Sequence, residues 1–201
     1  AYDTLNHEYE KVKNQRIALE EYVEKLSKVQ QLFQMTAAFA REQSKVHIEN
    51  MVTSCLRVVF PQEIRFIIEM AESNRRMHAN FFIEDRIGGE VHQFPPQEAR
   101  GGGMVDVISL ALRISFLLRA TPPLEKILIL DEPAKHVSED YIHNVAELLL
   151  QIAQEFSMQV VLVTHNRHLA YMGERVYEVS GEEGISIIRE ITHIDETVLE
   201  D

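Results

Sequence analysis

The sequence predicts an α/β protein: a parallel-sheet lobe with a small β section, preceded by a long N-terminal helix of coiled-coil type. Three observations carry that prediction. Apolar residues recur in alternating steps of four and three over the first part of the chain. Two short, continuously apolar runs flank a helical stretch, in the strand–helix–strand order of a parallel crossover. A triplet of glycines opens a further apolar helix.

The helical periodicity runs through Leu5, Tyr9, Val12, Arg16, Leu19, Val23, Leu26, Gln30, Phe33, Ala37 and Ala40, a heptad seam of about five repeats. Neither Pro nor Gly occurs before Pro61, and Glu, Lys and Gln fill the outward positions, so one helix is expected from about Asp3 to about Val58. At ~1.5 Å per residue such a helix spans roughly 80 Å, more than a small domain can cover. Residues 1–58 therefore read as a coiled-coil arm whose outer part calls for a partner helix, with Arg16 and Gln30 fixing register. The alternative is an amphipathic helix packed on its own domain.

Past Pro61 the pattern changes to β-rich pieces, Ile64–Met70 and Ala79–Glu84, joined by the polar stretch 71–78. Gly88-Gly89 predicts a turn and Pro95-Pro96 a stiff extended piece. Gly101 to Gly103 lead into Met104–Ala120, apolar around nearly its whole circumference and so expected to be a buried helix, stopped by Pro122-Pro123. Ile127–Leu130 and Val160–Thr164 are apolar runs of the kind found in parallel strands covered on both faces. Between them, Ser138–Phe156 has helical spacing at Ile142, Val145, Leu148, Leu149 and Ile152, with Ser138 as N-cap. That order predicts a right-handed crossover. Arg175–Ser180 and Ile185–Arg189 read as a hairpin that closes the lobe of residues 59–191, and 192–201 form an acidic tail.

The bulk numbers narrow the function classes. With 201 residues, 45% of them hydrophobic, the chain can build one sizeable core. A formal charge of −12 excludes a polybasic protein that binds phosphate over its whole surface, and Arg75, Arg76, Arg86 and Arg100 are too few to mark a basic groove. Cys55 is the single cysteine, so there is neither an internal disulfide nor a thiolate zinc site, and a reducing, cytoplasmic setting is expected. No apolar run reaches membrane-spanning length, and no signal peptide is seen. The sequence opens on Ala rather than Met, as a trimmed chain or a piece of a longer one does.

The strongest chemical motif is Ile127-Leu128-Ile129-Leu130-Asp131-Glu132-Pro133, an apolar strand ending in two carboxylates at the sheet edge where α/β folds place ligands. Asp131 suits a magnesium ion, and Glu132 suits a water that attacks a γ-phosphate. A surface acid pair at a strand end is the plainer reading. Val160-Val161-Leu162-Val163-Thr164-His165-Asn166 delivers His165 to the same edge one crossover later, where a neutral imidazole can bond a phosphate oxygen or orient the water. An ordinary loop histidine, or a metal site with His168, stands beside that. Arg100-Gly101-Gly102-Gly103-Met104 gives backbone N–H groups at a helix start close access to an anion, or a simple hinge. No Gly-Lys dipeptide occurs anywhere, so the phosphate-cradling G-x-x-x-x-G-K-[ST] loop is absent from the sequence.

Taken in order, Gly-Gly-Gly with its helix, I-L-I-L-D-E-P and V-T-H-N resemble the C-terminal lobe of ABC ATPases of the SMC, SbcC and RecF kind, over roughly residues 61–191. The resemblance implies that the first helix returns from a long antiparallel coiled coil and that the P-loop lies on a separate N-terminal lobe of the same parent protein. It implies ATP and Mg2+ as the ligands, with Asp131 as the Walker B magnesium residue, Glu132 as catalytic base and His165 as switch histidine. Arg100, Gly101, Gly102 and Gly103 take the signature position, which contacts the ATP of the opposite head, and Lys135 and Ser138 take the D-loop position. Gly101 stands where the family has serine, Met104 where it has Gln or Glu, and Ser138 where it has Asp, departures that put the usual trans contacts in question. The implied partners are a second head in a homodimer, DNA and a SbcD-like nuclease. The implied location is the cytoplasm, at the nucleoid if bacterial or phage. A coiled-coil interaction module with an inactive ATPase fold, and a metal hydrolase built on Asp131, Glu132, His165 and His168, are the competing readings.

Overall fold

The computed structural model describes residues 2–73, 76–99, 101–182 and 185–191. Arg75, Arg100 and the acidic tail from Thr192 fall outside the described residues. The chain divides into two units within its first helix, between Val46 and His47.

Helix α1 runs unbroken over Tyr2–Val59, as the absence of Pro and Gly predicts. In the first unit its seam residues Leu5, Tyr9, Val12, Leu19, Val23, Leu26 and Phe33 are all exposed. So are Tyr22, Val29, Leu32 and Phe39, which follow one another in steps of seven and three on a row beside the seam. The apolar arc is therefore wider than a single heptad stripe. Pairs such as Lys28–Glu24 at 2.6 Å decorate the surface at helical spacing.

In the second unit the last turns of α1 bury Val52, Cys55, Leu56 and Val59 in one core. They meet a three-stranded antiparallel sheet, order β1-β2-β3, formed by β1 (Ile64–Ser73), β2 (Arg76–Ile87) and β3 (Glu90–Phe94). Phe66, Ile68 and Ile83 bury one face. The outer edge of β1 is occupied by α1 itself: the Phe66 N–H donates to Thr53 Oγ1 at 3.0 Å and the Ile68 N–H to Glu49 Oε1 at 2.7 Å. Helix side chains thus satisfy amides that an edge strand would otherwise leave open. The expected polar connection at 71–78 is instead mostly strand, paired from Ala71 with His78 to Ser73 with Arg76. Ladder hydrogen bonds carry the hairpin well beyond its apolar part, which polarity alone could not indicate. Gly88 and Gly89 turn the chain at φ of 62° and 90°, and the short β3 after them is a strand the sequence reading missed. Pro95 is extended, but Pro96 starts a 3₁₀ turn over Pro96–Glu98.

Helix α2 covers Gly102–Arg119 and buries Met104, Val107, Ile108, Leu110, Ala111 and Ile114. Phe116 is exposed, so one side of the helix is open, contrary to the all-round burial its composition suggested. Strands β4 (Ile127–Asp131) and β5 (Gln159–Val163) pair in parallel across helix α3 (Glu139–Glu155). Ser138 sits at the N-cap of α3 without a side-chain hydrogen bond. Lys126 Nζ donates to the Phe156 carbonyl at 2.8 Å, a cation at the helix C-terminus. Asn144 Nδ2 donates to the Val59 carbonyl at 2.8 Å and ties α3 to the end of α1.

The expectation of strands covered on both faces is overturned. Leu128 and Leu130 are buried, but Ile127 and Ile129 on β4 and Val161 and Val163 on β5 are exposed, Ile129 to 71% and Val163 to 57%. Among the described residues the two-stranded sheet has core on one side only, so apolar residues of both orientations in the sequence meet cover in only one of them. A short helix α4 (Arg167–Tyr171) and the antiparallel hairpin β6 (Val176–Glu182) and β7 (Ile185–Ile191) follow. Among the described residues no helix is long and apolar enough to cross a membrane.

Candidate functional site

The parallel register sets the site. Asp131 is paired with Val163, and the ladder extends one residue further through the Glu132 N–H, which donates to the Val163 carbonyl at 2.9 Å. Strand alternation puts Asp131 on the same side as Ile127 and Ile129, so its exposed carboxylate lies on the open apolar face. The chain then turns sharply at Glu132, a non-glycine residue held at φ 45°. Such a backbone is costly and persists where its surroundings hold it.

Those surroundings are the end of β5. Glu132 Oε1 accepts the His165 backbone N–H at 2.9 Å and lies 2.7 Å from the ring Nδ1. Thr164 Oγ1 donates to Glu132 Oε2 at 3.3 Å while accepting the Asn166 N–H at 3.0 Å. Asn166 in turn caps α4, its Oδ1 accepting the Leu169 N–H at 3.2 Å. Desolvation alone would push the Glu132 carboxyl up, but the hydrogen bonds from the His165 ring and backbone, the His165 charge and the Thr164 hydroxyl together hold it below the usual glutamate range. Glu132 is therefore an ionised acceptor at neutral pH. A contact of 2.7 Å with a carboxylate requires the N–H at Nδ1. A neutral ring then offers only a lone pair at Nε2, which accepts from water and cannot donate to a phosphate oxygen. Donation to phosphate calls for the imidazolium, a narrower role than a neutral imidazole in the sequence reading was given.

The glycine turn has two different reasons for its glycines. Gly101, at φ 92° and ψ 153°, occupies backbone essentially reserved for glycine, with open space where a Cβ would be. A serine, the residue the resemblance implies at this position, would be strained in that backbone. Gly102 and Gly103 face protein instead: a Cβ on Gly102 would lie 3.0 Å from His136 Cβ, and one on Gly103 2.8 Å from Val137 Cα. Their lack of side chains permits close packing against the loop after the acid pair. Lys135 and Ser138 in that loop are exposed. Asp106, which the sequence reading did not single out, and His136, which it named only within the D-loop run 135–138, join the loop to α2: the His136 N–H donates to Asp106 Oδ2 at 2.9 Å.

The Asp131 side chain makes no hydrogen bond or ion pair among the described residues, and a single exposed carboxylate beside an acidic neighbour fits a hard cation that keeps most of its ligands from water and phosphate. Among the described residues no three His, Cys, Asp or Glu side chains converge on one metal position, and His168 is exposed on α4, so a metal hydrolase centre has no supporting geometry. Arg86 is spent on Glu63 at 4.0 Å.

No protein-family model matches the chain. Over 89 residues it is 30% identical to the DNA double-strand break repair Rad50 ATPase of Thermococcus kodakarensis, 44% of this chain and 10% of that protein. Over 135 residues it is 27% identical to the lipoprotein-releasing system ATP-binding protein LolD of Rickettsia bellii, 66% of this chain and 55% of that protein. The chain thus spans between a tenth and about half the length of these relatives. Among solved structures, an Smc head domain with coiled coil and joint from Pyrococcus yayanosii superposes with a TM-score of 0.60 at 19% identity, over 95% of this chain and 34% of that one. An SMC ATPase studied for ATP-driven dimerization and DNA-stimulated activation gives 0.59 at 16% identity, over 78% of this chain and 89% of that one. The Pyrococcus furiosus Smc head bound to the C-terminal domain of ScpA gives 0.53 at 19%, over 72% and 34%. With the strand-end acid pair, the crossover and the long first helix in place, the chain has the fold of the C-terminal lobe of an SMC/Rad50-type ABC ATPase head.

Proposed function

We propose that this chain is the hydrolytic half of an ATPase head, completed by a P-loop lobe and paired with a second copy of the head. The observation that carries the reading is the face of β4 and β5, where Ile127, Ile129, Val161 and Val163 lie exposed beside the Asp131 carboxylate. An apolar sheet face left open to water favours a covering lobe. The lobe that covers it would bring a phosphate cradle to the carboxylate, which this sequence, having no Gly-Lys, does not itself supply.

In this reading Asp131 would hold Mg2+, which would supply charge neutralisation at the phosphates of the nucleotide. Glu132, ionised and clamped by His165 and Thr164, accepts a hydrogen bond from the attacking water. His165 fixes the carboxylate and adds a second contact to that water or, as imidazolium, to a phosphate oxygen. By the resemblance, Gly101, Lys135 and Ser138 would meet the nucleotide of the opposite head, with Gly102 and Gly103 shaping that surface; Arg100 joins them by sequence position. Closure of two heads around ATP would move DNA or a SbcD-like nuclease, since a ligand bridging both heads favours the closed state. DNA repair or chromosome handling in the cytoplasm, at the nucleoid, is the setting that fits the Rad50 and SMC likenesses. In the complete ATPase, Glu132→Gln is expected to retain ATP binding and lose hydrolysis at least about a hundredfold. Near-normal turnover would remove Glu132 from its role.

A further inference from the structure

Behind the acid pair the chain folds back on itself, with the Lys135 N–H donating to the Glu132 carbonyl at 3.3 Å and the Val137 N–H to the Ala134 carbonyl at 3.1 Å. The loop so formed leans on the first two turns of α2 at three points. His136 Cβ fills the space a side chain on Gly102 would need, and Val137 Cα with the His136 carbonyl fills that of Gly103, at 2.8 and 2.9 Å. The third point is Asp106, whose Oδ2 accepts the His136 N–H at 2.9 Å while both carboxylate oxygens lie 3.2–3.3 Å from the His136 ring Nδ1. The Asp106 side chain is only 20% exposed, and that of His136 is 60% exposed.

We propose that Asp106 and His136 are positioning residues that clasp the glycine turn to the loop following Glu132, so that the two move as one body. A carboxylate suits the task because it accepts a backbone N–H and a ring N–H together, and bonds to an ionised acceptor are the stronger kind. The two missing side chains at Gly102 and Gly103 let the backbones approach closely enough for the clasp to close. The functional part of this inference rests on the ATPase reading above: displacement at the acid pair, where one nucleotide reacts, would reach the glycine turn that meets the other. Coupling can be carried by a contiguous packed path, and the path here has four links: Glu132, the 134–137 turn, Asp106 and the glycines.

The test is amide hydrogen exchange on the 201-residue chain. Asp106→Ala is expected to speed exchange about tenfold or more at the His136 amide and, with it, at the amides of residues 105–107, the loss of one charged hydrogen bond. Asp106→Asn, which keeps an acceptor for the backbone N–H, should restore most of the protection. His136→Ala, which removes the ring contact alone, should give an intermediate rise and serves as the second variant should Asp106→Ala fail to fold. Unchanged exchange at residues 105–107 when the loop loosens, or Asn as damaging as Ala, would overturn the clasp. In the head completed by its P-loop lobe, Asp106→Ala should lower kcat at least about tenfold with KM for ATP unchanged, and a change confined to KM would contradict it. The exchange readout needs no turnover, so an assembled head without ATPase activity would overturn the ATPase reading and leave the clasp standing.

Discussion

Glu132 combines two features that rarely coincide in a structural acid: left-handed backbone at φ 45° and a carboxylate gripped by three donors from one neighbouring turn. The grip predicts a pH behaviour. A carboxyl held below its unfolded value contributes stability that is complete above that unfolded value and lost as pH falls through the lower folded one. The Glu132–His165 contact is therefore expected to survive mild acid and to break only below the usual glutamate range, read from the His165 amide chemical shift. Early loss, at or above that range, would refute the clamp. Gly103 offers a second residue-scale test: Gly103→Ala forces a methyl against Val137 backbone, so destabilisation of about 1–3 kcal/mol is expected in denaturant unfolding, while a neutral result would deny the close approach. Glu132, His165 and Asp131 were legible because strand-end chemistry follows from a buried run and a register. Thr164, Asp106 and His136 were not, since their roles depend on which loops meet, and no spacing along the chain encodes that.

At the scale of elements, α1 serves its unit as a packing surface and as the cover of a sheet edge. Thr53→Val removes the acceptor of the Phe66 amide, which is otherwise buried, and should cost about 1–3 kcal/mol measured by denaturant unfolding. A change within experimental error would mean that the edge amide finds another partner. The helix itself was plain in the sequence, since 58 residues without Pro or Gly at heptad spacing leave few alternatives. Its edge-capping Glu49 and Thr53 were hidden because polar residues on a helix look the same whether they meet water or a strand. The lengths of β1 and β2 were underestimated for a related reason: backbone pairing, which favours no residue type strongly, extends the hairpin through polar positions.

For the whole molecule, the open face of β4 and β5 is the decisive feature. The sequence showed four consecutive apolar residues in each strand, Ile127–Leu130 and Val160–Val163, and so predicted two covered faces; among the described residues only one is covered. Composition records that a residue is to be buried without recording by which polypeptide. Ile129→Glu is accordingly expected to leave the unfolding free energy of this chain within about 0.5 kcal/mol while abolishing its association with a P-loop lobe. A large loss of stability in the isolated chain would show that Ile129 is buried by the chain itself. The central claim, that this polypeptide supplies the water-activating rim to a nucleotide held by another lobe, is tested most directly by ATP turnover of the chain, of the P-loop lobe and of the two combined. Turnover is predicted only in the combined sample. Hydrolysis by the chain alone, or a stable combination that binds ATP and never hydrolyses it, would contradict the account.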